Sequence, residues 1–446
     1  MGRIFTTAAL ALATGLLGVG STQAEPSAPS GFIFGVGTHY AFPLQRGYTL
    51  DATMPLLHEL GVDSFRDDVD ADYYVDPAPD QPLGTRRDRL GAALLARSAK
   101  PVLILRGQTL EREPRPRLAP RTGDERSTFG RFAASVTENT RAFDPIYEIW
   151  NEWNMQWRTR PRMGGLLPGT ENPDYSPENY VAAARAAYGA VKAADPGAVV
   201  LTGSIGEDAD WAWTRRALEA GLLETGDGLS VHFYNHCAGA ARRTAEDLRE
   251  RVEDFRRVVV EAGGDGAPPL YITEFGWPND DGPCGIDRAL AASNIAQFTL
   301  WSATVDWIRG VWVYELRDGG ERPEEREDNF GLYDYANRPK PAACAYREAI
   351  ALSREIEGGH LRESPDGVRW LEGTGRDGAP IWVFWATARD GEGAVRLPAG
   401  AEANVRTVCD DAGARQVSDV VPIVPMPVVV RPNRDLSPDQ LVFSAQ

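Results

Sequence analysis

Two segments bring a glutamate to the end of an apolar run: Ile149-Trp150-Asn151-Glu152-Trp153-Asn154 and Ile272-Thr273-Glu274-Phe275-Gly276-Trp277. Two carboxyl groups in unlike surroundings can divide acid and nucleophile work. One stays protonated and gives its proton to a leaving oxygen, while the other stays ionised and attacks carbon. Cleavage of a glycosidic bond needs this division. A separation of about 5–5.5 Å between the two implies a covalent intermediate and retention, and a wider one implies inversion. Other reactive residue types close further apolar runs: Phe65-Arg66-Asp67-Asp68, Val231-His232-Phe233-Tyr234-Asn235-His236 and Tyr314-Glu315-Leu316-Arg317-Asp318. His232 and His236 are four apart, but at a strand end rather than on a helix face, and no C-x-x-C spacing exists. No metal site and no cofactor are therefore expected. Glu148 shares a strand face with Trp150 and Glu152 and reads as a barrel-interior group paired with an arginine such as Arg106. Trp150, Trp153, Trp157, Trp277 and Trp312 cluster at these ends and in the loops after them. Indoles pack on the apolar faces of sugar rings, so Trp153, Trp277 and Trp312 are candidate substrate contacts; the alternative is that some of them fill the core.

The elements that must position these groups alternate eight times. Strand-like runs begin at Gly31, Asp63, Pro101, Ile146, Ala198, Leu229, Leu270 and Val311, each followed by a helical pattern, the last at Lys340–Leu352. Ser176-Pro177-Glu178 is a helix start, and Asp195-Pro196-Gly197 a stop. A helix is also expected over Ile286–Ile308, ending at Gly310, with the eighth strand over Val311–Leu316. Eight such units predict an α/β fold, a (β/α)₈ TIM barrel over residues 31–352. The rival is an open doubly wound sheet, but Gly31–Gly37 lacks a G-x-G-x-x-G turn before a helix. After Ser353 helical periodicity gives way to short β-rich runs, which predict a small C-terminal β-sandwich domain over 353–446. Within it Val421–Arg431 mixes proline with valine and reads as an edge or capping strand.

The chain has 446 residues, 43% of them hydrophobic, and a formal net charge of −17. Such a surface argues against nucleic acid as a partner and repels polyanions unless a local basic patch intervenes. Arg3, the apolar run Ala8–Val19 and the small residues before Glu25 predict a signal peptide over 1–24 and an exported, periplasmic or extracellular protein. An N-terminal anchor is the alternative, but the run is short of the ~20 residues a span needs, so no stable membrane insertion is expected. Export makes disulfides expected among Cys237, Cys284, Cys344 and Cys409; four cysteines allow three connectivities, and four free thiols are the alternative.

Together and in this order, the Asn151-Glu152 segment, the Thr273-Glu274 segment, and Asn329-Phe330-Gly331-Leu332-Tyr333 followed by Arg338-Pro339-Lys340-Pro341 carry a resemblance. Roughly residues 31–352 resemble the retaining glycoside hydrolases of clan A, closest to family 39-like and cellulase-like (family 5-like) members, which include glycosidases of bacterial exopolysaccharides. The resemblance implies Glu152 as acid/base and Glu274 as nucleophile. Asn151 would bond the sugar 2-hydroxyl, Arg66 would hold Glu274 ionised, Tyr234 would donate to Glu274, and His232 would line the pocket. Arg66 could instead pair with Asp67 or Asp68. On the barrel plan a Cys237–Cys284 bridge would staple two active-site loops, and a Cys344–Cys409 bridge would tie the two domains. The chain departs from the family at Trp153, where relatives usually have proline, and in the loop Gln156–Asp174, whose Arg158, Arg160 and Arg162 are either solvated or accept an acidic sugar. The expected partner is an oligo- or polysaccharide. A carbohydrate-binding protein on a dead barrel and a transglycosylase are the competing readings.

Overall fold

The computed structural model describes residues 31–41, 47–71, 88–96, 99–107, 119–158, 170–364, 367–433, 436 and 440–445. The expected signal peptide, Arg160 and Arg162 lie outside these residues. Strands and helices alternate as β1 (Ile33–Gly37), α1 (Leu50–Leu60), β2 (Ser64–Asp70), α2 (Asp88–Ala96), β3 (Lys100–Arg106), α3 (Gly123–Thr140), β4 (Ile146–Ile149), α4 (Pro177–Ala194), β5 (Val199–Ile205), α5 (Ala212–Glu219), β6 (Gly228–Phe233), α6 (Ala245–Gly263), β7 (Leu270–Phe275), α7 (Arg288–Ser302), β8 (Ile308–Val313) and α8 (Pro341–Glu355). The eight strands form one closed barrel in chain order, with β8 pairing parallel to β1. The caps are written in the sequence. Ser176 accepts from Asn179 N with Pro177 at the first helical position, and Thr122/Glu125 and Thr244/Asp247 form capping boxes.

The barrel interior is layered. At its base Trp312 packs with Val102, Ile146 and Leu201 and donates from Nε1 to Ser64 Oγ at 3.0 Å. Its indole takes the space a Cβ would need at Gly35 (2.1 Å) and Gly310 (2.9 Å), so both positions require glycine. This corrects two expectations. Gly310 does not end a helix but lies inside β8; α7 stops at Ser302, and β8 starts three residues earlier than its apolar run suggested. Trp312 therefore sits at the bottom of the barrel, away from the mouth where sugar was expected.

The C-terminal strands are β9 (Glu357–Glu363), β10 (Val368–Thr374), β11 (Pro380–Ala386), β12 (Gly393–Arg396), β13 (Ala403–Thr407), β14 (Arg415–Val417), β15 (Val420–Ile423), β16 (Val428–Pro432) and β17 (Val442–Ala445). They form a six-stranded sheet, β14-β13-β16-β11-β10-β9, and a three-stranded sheet, β15-β12-β17. The Val421–Arg431 run is not one edge strand. Its first part, with Pro422, is the edge strand β15; Pro425 and Pro427 break the run, and β16 then enters the centre of the other sheet. Period-2 alternation on β11 sends Trp382 and Phe384 into the sandwich core and Ile381, Val383 and Trp385 into the barrel's core. Helix α7 is clamped between, buried on every side from Leu290 to Ser302, with Gln297 Nε2 donating to Pro425 O at 2.6 Å.

Both disulfides pair as expected from the barrel plan. Cys237–Cys284 joins the loops after β6 and β7, and Cys344–Cys409 joins α8 to the turn after β13. Beside the second, Arg406 contacts Glu348 at 2.5 Å and Arg431 contacts Glu355 at 2.7 Å. Among the described residues no helix is long and apolar enough to cross a membrane. Replacing Cys344 and Cys409 by serine removes a cross-link across 65 residues. We expect a loss of about 2–4 kcal/mol, read as a lower thermal midpoint for barrel and sandwich together. Two separated transitions in scanning calorimetry would contradict the shared core.

Candidate active site

The strand ends of β2, β4, β6, β7 and β8 converge on a cleft of about 420 Å³ at one mouth of the barrel. Arg66, on β2, is buried and uses all three guanidinium nitrogens. Nε donates to Glu148 Oε2 at 2.5 Å, Nη1 to Glu274 Oε1 at 2.7 Å, and Nη2 to Asn151 Oδ1 at 2.8 Å. Glu148, fully buried on β4, is satisfied on its other oxygen by Thr273 Oγ1 at 3.0 Å, Ser204 Oγ at 3.2 Å and Ser230 Oγ. Burial would raise its pKa, but Arg66 and His232 override this and hold it far below the usual carboxylate range. The expected Glu148–Arg106 pair is therefore replaced by Glu148–Arg66. Arg106 turns to Asp68, at 3.0 Å, and to Asp70, one strand away on β2. Asp67 does not bind Arg66 either; it accepts from Tyr40 N at 2.7 Å and Thr38 Oγ1 at 2.7 Å, holding the segment after β1.

Glu274 ends β7, and both its oxygens meet donors, because Tyr234 Oη bonds Oε2 at 2.7 Å. Burial, then the Glu274 charge, lifts the Tyr234 phenol well above its ordinary range, so it stays a donor. Glu152 follows β4 at φ +49°, a left-handed conformation that costs a non-glycine residue about 1–3 kcal/mol. Its N–H bonds Ser204 O at 2.9 Å. Gly206 leaves it room, since a Cβ there would stand 2.9 Å from Glu152 Oε1. His232 lies between the two glutamates, with Nδ1 3.0 Å from Glu152 Oε1 and 3.5 Å from Glu274 Oε2. Burial opposes a charge on His232, yet Glu274, Glu148 and Glu152 raise its pKa to about 9. Its Nε2 is 3.2 Å from Arg66 Nη2, which can only donate, so a hydrogen bond there requires the neutral ring with its proton on Nδ1. The pull of the carboxylates on a second proton competes with it.

One oxygen of Glu152, one of Glu274 and one ring nitrogen of His232 lie within 4.8 Å of one another. Three such atoms could ligate a cation. A dication there would face the Arg66 guanidinium and compete with it and with Tyr234 for the Glu274 oxygens, so the donor set suits a hydrogen-bonded carboxylate pair better.

The structure thus brings together Glu152, Glu274, Asn151, Arg66, His232 and Tyr234. It does not bring the three tryptophans to the cleft. Trp153 is buried against Trp150, Tyr175 and Tyr180. Trp277 donates to Asn235 Oδ1 at 2.8 Å and holds the loop after β6 from behind. The aromatic surface of the cleft comes instead from Tyr314 and Phe330, whose rings pack at 5.3 Å. His39, 2.8 Å from the buried Glu315, lines the cleft as well. Tyr314 stands two residues beyond Trp312 on the same strand face, and only the register of β8 tells which of the two reaches the mouth. Arg158 packs over Trp157 at 4.5 Å and lies 3.6 Å from Asp210, a solvated rim arrangement outside the cleft lining. Asp68, Glu152, Glu207, Glu274 and Glu327 line the cleft against Arg66, Arg106 and Arg326, so it carries more negative than positive groups.

No family model matches the chain, and no curated protein matches it. Solved structures do match by fold. A family 39 glycoside hydrolase from Bacteroides cellulosilyticus WH2 superposes with a TM-score of 0.65 at 18% identity, over 91% of this chain and 81% of that one. A monomeric beta-xylosidase from Caulobacter crescentus CB15 gives 0.58 at 16% identity, over 92% and 98%. A GH5_18 protein from Streptomyces cattleya in complex with GlcNAc gives 0.51 at 20%, over 73% and 80%. At these identities the likeness is one of fold: the chain is a (β/α)₈ barrel with a C-terminal β-sandwich, similar in fold to glycoside hydrolases of families 39 and 5.

The Arg66–Glu148 pair yields a stability prediction. Glu148→Gln leaves a buried guanidinium short of its counter-ion, with an expected loss of about 3–5 kcal/mol in urea unfolding at pH 7. The Glu148 pKa is depressed on folding, so its stabilisation is present above about pH 4.5 and is lost as pH falls below it. The variant should therefore lose less stability than the parent between pH 5 and 3. Parallel pH–stability curves for the two proteins would contradict the assignment.

Proposed function

We propose that the protein is a retaining glycoside hydrolase acting on an oligo- or polysaccharide. One observation carries this reading: Glu152, just after β4, and Glu274, on β7, present oxygens within 4.8 Å of each other at one barrel mouth. That close approach suits direct attack of one carboxylate on the anomeric carbon, the arrangement of a retaining enzyme. Glu274, aimed by Arg66 and Tyr234, is the nucleophile. Glu152, the more exposed of the two and next to His232, protonates the leaving oxygen. It then takes a proton from the water that releases the sugar from Glu274. Asn151 Oδ1 is engaged by Arg66, which turns its amide N–H₂ towards the cleft as a donor for a sugar hydroxyl. The two disulfides support an exported protein.

The test is a screen of the purified protein on polysaccharides and aryl glycosides beside Glu152→Gln and Glu274→Gln. We expect Glu274→Gln to abolish turnover. Glu152→Gln should lower kcat about 10²–10⁴-fold on poor leaving groups and less on a nitrophenyl leaving group, which needs little protonation. The first product seen by NMR should keep the anomeric configuration of the substrate. An inverted product, or full activity in both variants, would end the mechanism.

A further inference from the structure

The segments Asn329-Phe330-Gly331-Leu332-Tyr333 and Arg338-Pro339-Lys340-Pro341, which carry part of the sequence resemblance, have no part in the mechanism above. The structure joins them through a buried ion pair. Lys340, just ahead of α8, and Asp318, in the segment after β8, are 3% and 5% exposed, and Lys340 Nζ lies 2.6 Å from Asp318 Oδ1. The pair grips the peptide groups on both sides of Phe330. Lys340 Nζ donates to Asn329 O at 3.2 Å, and Gly331 N donates to Asp318 Oδ1 at 2.8 Å. Asn329 O also accepts from Asn279 N at 3.0 Å, whereas the carbonyl of Phe330 itself takes a long bond, 3.4 Å, from Glu315 N. A Cβ at Gly331 would stand 2.1 Å from Asp318 N, so this close approach requires glycine.

Stability is a poor explanation for the pair. Taking both charges out of water is costly, and a buried pair often gains no more than it loses. Burial lifts the Asp318 carboxyl to about 6 in spite of Lys340, and the buried Glu315 adds to the rise. A pKa raised on folding means that stability is greatest with Asp318 protonated and falls as pH rises through about 6, so at neutral pH the ionised group opposes folding. Burial likewise lowers the Lys340 ammonium, with Arg288 acting in the same sense. What the charges supply is direction, because charge-assisted bonds hold peptide groups more firmly than neutral ones. The ring they hold is a hub. Phe330 lines the cleft and packs against Tyr314 at 5.3 Å and against Tyr234 at 5.8 Å. Tyr234 is the donor to Glu274. We propose that Asp318 and Lys340 are positioning residues for the nucleophile: by fixing the peptides that flank Phe330 they set the ring against which Tyr234 stands, and so the hydrogen bond from Tyr234 to Glu274. The inference rests on the glycosidase reading and deepens it.

The experiment removes both charges at once, Asp318→Leu with Lys340→Met, so that neither is stranded in the interior. Expected are a near-parental thermal midpoint, a kcat on the best aryl glycoside lowered about ten- to hundredfold, and a KM changed far less. In a Tyr234→Phe background the same two substitutions should cost nothing further, because the bond they act on is already gone. An unchanged kcat, or losses that multiply in the combined variant, overturns the proposal and leaves the glycosidase reading intact. Phe330→Leu, which leaves the ion pair alone, is the second arm should the double variant fail to fold: its loss of kcat must also vanish beside Tyr234→Phe. A readout independent of turnover is the ¹³Cζ signal of Tyr234, assigned by its absence in Tyr234→Phe, which should shift in the double variant. An unmoved signal overturns the positioning role whatever the activity, whereas a wild type inactive on every sugar of the panel ends the glycosidase reading.

Discussion

The site depends on one buried cation. Arg66 stands inside the barrel, buried, and each of its three nitrogens is spent on a different residue, Glu148 on β4, Asn151 just after β4 and Glu274 on β7. Removing a guanidinium from water costs several kcal/mol, and only close, well-directed anions offset it. Glu148 and Glu274 supply those anions from β4 and β7. The same three bonds that make the charge tolerable also fix where Glu274 points and which way the Asn151 amide is turned. The geometry of the cleft and the stability of the barrel are therefore one network.

Beneath that network lies a polar layer that a TIM barrel does not usually require. Ser204, Ser230 and Thr273 surround the second oxygen of Glu148, so the buried carboxylate has no unmet lone pair of consequence. Below them Trp312 plugs the barrel, filling space that Gly35 and Gly310 leave open. The order from base to mouth is apolar plug, neutralised ion pair, and the Glu152–Glu274 carboxyl pair. Each layer excludes water from the one below, and Glu152 and Glu274 meet solvent at the cleft.

Around the mouth the loops are held from outside. The Cys237–Cys284 bridge, the Trp277–Asn235 bond and the burial of α7 under the sandwich all bear on the segments that follow β6 and β7. The sandwich shares the barrel's apolar core through Ile381, Val383 and Trp385, which makes it a brace for that wall. Trp277 and Trp153 serve the same end. Both are packed behind the site, where an indole contributes buried area rather than a sugar platform.

The period of the apolar residues, the helix caps and the glutamates at the ends of two strands were legible because each is a local property of the chain. They determined the eightfold alternation, the sandwich and the candidates Glu152 and Glu274. What needed tertiary structure was register and partner choice. A strand run does not say which of Trp312 and Tyr314 reaches the mouth, because both lie on the same face two residues apart, and only pairing with β1 and β7 sets the height. Nor does it say that Glu148 takes Arg66 rather than Arg106. Arg66 lies inside β2, level with Val102, whereas Arg106 ends β3, level with Asp70, and the choice falls to the one whose side chain reaches Glu148 within the barrel.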